Sequence, residues 1–225
     1  MEIFSRRFRV LIFIFGLIGA GFYPAAALPQ GPSVPAKLTY SRTFKGSSPE
    51  YLEIVVDSKG SGTYEGRKLD EANIVPPRPL QLSAATTERI FAFAAGLHNF
   101  QSVQLESHKK VANLGEKTFI FQQGGDVNRV VFNYTENRVA RELVELFEAV
   151  GQVQQHVGAL EFDMKYDPLS LSQELLQIQI ELNDKGLVDP QMLVPTLEKI
   201  AHDSRFLHLA QARAQEIIDR VQPAP

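Results

Sequence analysis

Residues 139–164 read VARELVELFEAVGQVQQHVGALEFDM. Within them Val139, Leu143, Leu146, Val150, Val153, Val157, Leu160 and Met164 recur at alternating steps of four and three. That is the heptad spacing of a helix carrying one apolar seam. It predicts a single rod over residues 137–165, roughly 40 Å long at about 1.5 Å per residue, capped by Thr135 or Asn137. Gly151 and Gly158 lie on this rod, although each is about 1 kcal/mol less favourable than Ala in a helix interior. Either they line a groove where a second helix comes close, or they are exposed and tolerated, or the helix bends there.

The seam requires neighbours, and the downstream sequence supplies helices to cover it. Asp167-Pro168 and Asp189-Pro190 each pair a capping Asp with Pro at the first helical position. The first opens a helix with Leu171, Leu175, Ile178 and Leu182 inward and Gly186 as its stop. The second opens a helix with Leu193, Leu197 and Ile200 inward, and Ser204 caps a last helix reaching about Val221.

Upstream of Thr135 the period changes from helical to alternating. Strands are expected at Leu38–Phe44, Tyr51–Val56, Ser61–Arg67, Lys117–Gln123 and Asn128–Tyr134. Asp57-Ser58-Lys59-Gly60 and Gly124-Gly125-Asp126 read as hairpin loops. Residues 70–82 hold Pro76, Pro77 and Pro79 and are expected as an irregular loop; Ser83 caps a helix over Ala84–Asn99. Val103 and Leu105 fit a short edge strand. The fold class is therefore α+β: a small antiparallel sheet of about five strands with one packed helix over 37–136, then a four-helix region over 137–222.

The N-terminal segment reads differently again. Arg6, Arg7 and Arg9 precede the apolar run Val10–Tyr23, and Pro24 and Ala25-Ala26-Ala27 follow it. This is the pattern of a secretory signal peptide over 1–27, with the mature chain starting near Leu28 and a flexible lead-in over 28–36. The apolar run is short for a spanning helix, so an uncleaved N-terminal anchor is the lesser alternative. The expected location is exported, periplasmic or secreted. The net charge of −3 argues against a nucleic-acid or anionic-membrane partner. The absence of cysteine excludes disulfides, thiolate chemistry and thiolate metal sites.

The stretch LTYSRTFKGSSPEYLEIVVDSKGSGTY, residues 38–64, carries a strand, the turn Gly46-Ser47-Ser48-Pro49-Glu50-Tyr51 and a hairpin ending Gly60-Ser61-Gly62-Thr63-Tyr64. In this it resembles a family of small bacterial exported or envelope domains of unknown function, some of whose members place Cys near the turn. The resemblance implies a bacterial envelope origin and brings no activity.

No residue pattern marks a catalytic, cofactor or metal site. His98, His108, His156, His202 and His208 show neither H-E-x-x-H nor H-x-H spacing, and no Gly-x-Ser-x-Gly elbow is present. Glu142, Glu145 and Glu148 step along the long helix as a solvated face. These features favour a non-catalytic module that binds another envelope protein, with Arg42, Lys117, Arg129, Tyr51 and Tyr64 as the candidate partner surface. One alternative is a carrier of a small apolar ligand, lined by Phe91, Phe93, Phe119, Phe121 and Phe132. Another is an envelope hydrolase assembled from scattered residues such as His98, His108 and Glu50.

Overall fold

Alternating apolar residues bring six strands together in one antiparallel sheet, which two helices cover on one face. The computed structural model describes residues 34–70 and 76–222. The signal peptide read at 1–27, most of the lead-in at 28–36 and part of the proline-rich loop at 70–82 lie outside the described residues. The strands are β1 (Lys37–Thr43), β2 (Tyr51–Asp57), β3 (Ser61–Arg67), β4 (Arg78–Gln81), β5 (Glu116–Gln123) and β6 (Asp126–Phe132). Their order is β4-β3-β2-β1-β5-β6, with every pair antiparallel.

The sheet has one strand more than the sequence pattern implies. Residues 78–81 pair with β3 despite Pro79, because β4 is an edge strand. Leu82 N donates to Gly60 O, and the alternation of an antiparallel ladder then turns position 79 away from β3. A proline there removes no ladder bond.

The register lines up the covered face in rows. One row runs Arg78, Tyr64, Ile54, Tyr40, Phe119, Val130; the next runs Gly66, Leu52, Arg42, Lys117, Phe132. Over these rows lie α1 (Ala84–Gly96) and α2 (Arg138–Tyr166). Ser83 caps α1 and Asn137 caps α2, each through a side-chain oxygen that accepts from the main chain. α1 stops at Gly96 rather than Asn99: His98, Asn99 and Phe100 adopt positive φ of 52°, 50° and 62° and reverse the chain. That reversal stacks Phe100 on Phe119 at 5.0 Å. Residues 101–115 form no strand, although Leu105 is buried.

The long helix matches its seam, but its neighbours differ from those expected. Ala140, Leu143, Leu146, Phe147 and Val150 belong to one buried cluster with the sheet and α1. Val153, Val157 and Leu160 belong to a second, with α3 (Leu171–Asn183), α4 (Val194–Ala201) and α5 (His208–Val221). The C-terminal helices therefore cover only the second half of the seam, while the sheet and α1 cover the first. The two glycines face neither a helix nor open solvent. A Cβ on Gly151 would meet Leu52 and Ile54 of β2, and one on Gly158 would meet the Arg78 guanidinium.

Three caps differ from expectation. The 167–170 segment is a turn in which Ser170 Oγ donates to Asp167, and α3 starts at Leu171. α5 starts at His208 after the turn that holds Ser204. Asp189 adopts a left-handed φ of 53° and caps no helix of its own. Its carboxylate instead accepts Ser83 N, Ser83 Oγ and Thr86 Oγ1 at 2.7–2.8 Å. That ties the α3–α4 connection to the first turn of α1, where the helix dipole favours an anion. No helix among the described residues is long and apolar enough to cross a membrane.

Candidate functional site

Sheet register divides the five residues expected to form a partner surface. Tyr51 and Arg129 stand on the uncovered face, whereas Arg42, Tyr64 and Lys117 belong to rows beneath the helices. They cannot make one patch, because adjacent strand positions point to opposite faces. Their surroundings are structural. Tyr51 donates to Glu53 Oε2 at 2.7 Å, and the Arg67 guanidinium lies 4.5 Å over its ring. Lys117 donates its three N–H groups to Leu114 O, Gly115 O and Asn133 O, each at 3.0 Å. Burial holds its amine below the usual lysine range, yet every donor is occupied in fixing the 114–115 loop. Burial also pushes the Tyr64 phenol up to about 12.

Arg42 takes part in a partly buried cluster with α2. Tyr40 Oη donates to Glu148 Oε1 at 2.5 Å, and Arg42 Nε lies 3.0 Å from the same oxygen. The Arg42 N–H is off-axis, so its contact is ionic without being a hydrogen bond. Tyr40 is raised well above the usual phenol range, by burial first and then by the Glu148 charge. The helical spacing places Glu148 on a solvated face, but in the structure it holds the helix to the sheet.

A second polar cluster joins α2 to α3. His156 Nδ1 lies 2.6 Å from Glu174 Oε1 and its Nε2 lies 2.9 Å from Glu181 Oε2. A neutral imidazole has only one N–H, so two carboxylate partners select the imidazolium. Burial opposes that charge, but the bonds to Glu174 and Glu181 outweigh it and raise the His156 pKa above its ordinary value. The partners lie 18 and 25 residues away in sequence, which no local spacing could show.

The residues of the two alternative readings are not gathered into sites. Glu50 accepts from Gly46 N and Leu69 N in the β1–β2 turn. His98 lies beside the far end of β6, where Asn128 Nδ2 donates to Asn99 O. His108 follows Ser107, whose N donates to Tyr134 O. The aromatic residues fill space instead of lining it. Phe119 packs against Tyr40, Phe100, Phe132 and Phe147, and Phe91 meets Phe121 edge-on. Among the described residues, no group of three or more His, Asp or Glu side chains could hold a metal ion.

What remains is a groove of about 660 Å³ between the β4 edge and the helices. Ser61, Gly62, Pro79, Leu80 and Gln81 form its sheet wall; Gln154, Gln191, Met192, Pro195 and Gln222 form the helical wall. Among the described residues, no charged side chain lines it. Gln154 is 3% exposed and its side-chain carbonyl has no hydrogen-bond partner among the described residues, while its amide nitrogen lies 3.4 Å from Met192 Sδ. A buried polar group left unpaired costs about 1–3 kcal/mol. Exchanging the amide oxygen and nitrogen would still leave one end unmet.

A larger hollow of about 840 Å³ lies where α2 ends beside the α4–α5 turn. It is lined by Glu161, Lys165, Lys199, Asp203 and Arg205 among others. Arg205 is 82% exposed and already forks onto Asp203, so that surface is solvated and internally paired. The β4 groove is hidden from the sequence pattern because Pro79, Leu80 and Gln81 of its sheet wall fall in the expected loop at 70–82. One signal was available: Gln154 stands four after Val150 and three before Val157, a polar residue on the buried stripe. No protein-family model and no curated protein matches the chain.

Proposed function

We propose that the chain is an exported, non-catalytic module that binds another protein of the bacterial envelope, and that the β4 groove is where it binds. The observation that carries this reading is the groove's combination of an edge strand, an uncharged lining and a buried amide without a partner. Binding sites place a few polar groups in a largely apolar concavity, and the groove has that composition. The leader pattern at 1–27 supports export. The occupied donors of Lys117 and the clamped carboxylate of Glu148 support a structural role for the interior polar groups.

The test is site-specific photo-crosslinking of the full chain in bacterial cells. A photoreactive residue at Gln191 in the groove is compared with one at Arg129 on the uncovered sheet face. One discrete cross-linked product from Gln191 and none from Arg129 is expected. Equal labelling from both positions, or a product from Arg129 alone, overturns the placement of the site.

A further inference from the structure

We infer that the groove receives an extended, uncharged polypeptide segment, which adds to β4 as a seventh strand. This rests on the protein-binding reading above and names the form of the partner.

The edge geometry sets the form. Among the described residues no strand pairs with β4 on the side away from β3. The bond from Leu82 N to Gly60 O fixes the ladder phase, so the main chain of Leu80 faces β3 and that of Pro79 and Gln81 faces outward. Pro79 has no N–H to offer. The outward edge therefore presents one donor, at Gln81, and two acceptors, the carbonyls of Pro79 and Gln81. An incoming strand must donate twice and accept once, which an extended peptide does with alternate residues. The four residues of β4 span about 13 Å at about 3.3 Å per residue, so the paired part of the partner is about four residues long.

Pro79 also makes the bare edge a poor template for indiscriminate strand pairing. Recognition must then come from the helical wall, whose chemistry is specific. Gln154 lines this wall with a buried carbonyl that is unpartnered among the described residues, and rotation of its side chain toward the groove would present it to an amide donor. Met192 and Pro195 supply adaptable apolar contact, and Gln191 adds a second amide. Charge selects the occupant further. The other large hollows carry Lys199 with Arg205, or Glu50 with Lys68 and Asp70, whereas the described residues that line this one supply no counter-charge for an ionised side chain that loses its water. A segment rich in Val, Thr, Ala and Gln fits; one rich in Asp, Glu, Lys or Arg does not.

The experiment uses the full chain without its leader, isotope-labelled for NMR. The probe is a pool of acetylated, amidated hexapeptides drawn from Val, Thr, Ala and Gln. Saturable shifts are expected at the Gln81 main-chain amide and the Gln154 and Gln191 side-chain amides. N-methylation of alternate residues in one phase should weaken binding at least tenfold and in the other phase much less. A pool with two Glu per peptide should also bind at least tenfold more weakly. Gln154→Leu should weaken binding at least fivefold while melting no lower than the parent, since it removes a buried unmet group; a purely structural Gln154 would leave binding unchanged.

Absence of any shift at millimolar peptide, or equal binding by both methylated phases, overturns strand addition. If the peptides fail while Gln191 still cross-links a protein, the binding reading stands and only the extended partner is lost. If neither gives a signal, both fall together.

Discussion

The two halves of α2 carry the same seam and use it against different partners. From Ala140 to Val150 the seam meets a sheet through large rings: Phe147 stacks on Tyr40 at 5.2 Å and lies 6.2 Å from Phe119. From Val153 to Leu160 it meets helices through Leu, Ile and Ala, with Leu171, Leu175, Leu197 and Ala214 fully buried. A heptad states that one stripe is covered and leaves open what covers it. The difference lies in the flanking positions. Phe147 stands beside the seam in the sheet half and widens the buried stripe to suit a broad, flat partner. In the helix half the heptad equivalent of Phe147 is Gln154, and the buried flanks Gln154 and His156 are polar.

Val150 sits where the two halves meet and is fully buried. Val150→Asp places an unpaired charge there and should cost more than about 4 kcal/mol, a large part of the roughly 5–15 kcal/mol that holds a domain folded. Circular dichroism should show a chain largely unfolded at 25 °C; a melt like the parent's would mean that the seam is not a packing surface. Phe147→Ala and Leu160→Ala then separate the halves, at about 3–5 and 2–5 kcal/mol respectively. Because α2 is continuous and Asp189 ties the helices to α1, each should lower one shared melting transition. Two resolved transitions for Leu160→Ala, with the sheet amides still protected from exchange, would show that the halves fold separately.

A smaller effect comes from the polar clamps, which also differ between the halves. Glu148 binds a phenol and a guanidinium, neither of which changes charge near neutral pH. His156 does change. Its folded-state pKa is raised above the ordinary imidazole value by Glu174 and Glu181, so its stabilisation is complete below about pH 6.5 and is lost as pH rises through the raised value. On the acid side Glu181, whose pKa is lowered by bonds from Gln177, His156 and Gln152 despite its burial, loses its contribution as pH falls below the usual carboxylate range. Asp163, near Glu174 and Asp167, is raised by burial and by those neighbours, so its protonation on acidification relieves an unfavourable charge.

The helix half should therefore be most stable between those limits. His156→Gln should melt lower than the parent by about 2 kcal/mol at pH 6, equivalent to about 4–8 °C, and the gap should close above neutral pH. A gap independent of pH would show that His156 acts by packing alone.

Much of this was legible in the sequence, for identifiable reasons. Strand alternation and heptad spacing are local, and Ser83 and Asn137 cap their helices as their types and positions imply. What escaped depends on contacts distant in sequence. Arg78–Gln81 become a strand only because β3 is there to pair with them. Asp189 looks like a cap until α1 is folded beside it, and Glu148 looks solvated until Tyr40 reaches it. Arg42 and Lys117 read as exposed because a charge on a strand usually is. Their parity with Tyr40 and Phe119 already placed them on the covered face. The groove, with walls from residues 61–81 and 154–222, could not be assembled from any single window of sequence.

The two glycines of α2 give the finest comparison, since the sheet half holds one and the helix half the other. Replacing either by Ala recovers about 1 kcal/mol of helix propensity if the methyl fits. At Gly151 a Cβ would lie 3.4 and 3.5 Å from the Leu52 methyls, an ordinary contact, so Gly151→Ala should stabilise by nearly that amount. At Gly158 it would lie 3.2 Å from Arg78 Nη2. That guanidinium cannot retreat freely, because it donates to Gln154 O at 3.0 Å and pairs with Glu161 at 2.9 Å. Gly158→Ala should therefore stabilise less, by about 0–0.5 kcal/mol, as the gain in propensity is offset by strain on those bonds. Thermal melts of the two variants and of Gly158→Ala combined with Arg78→Ala check the reasoning. If Gly158→Ala stabilises as much as Gly151→Ala while Arg78 is intact, the arginine is not wedged against the helix and the close approach of β4 to α2 is looser than its hydrogen bonds imply.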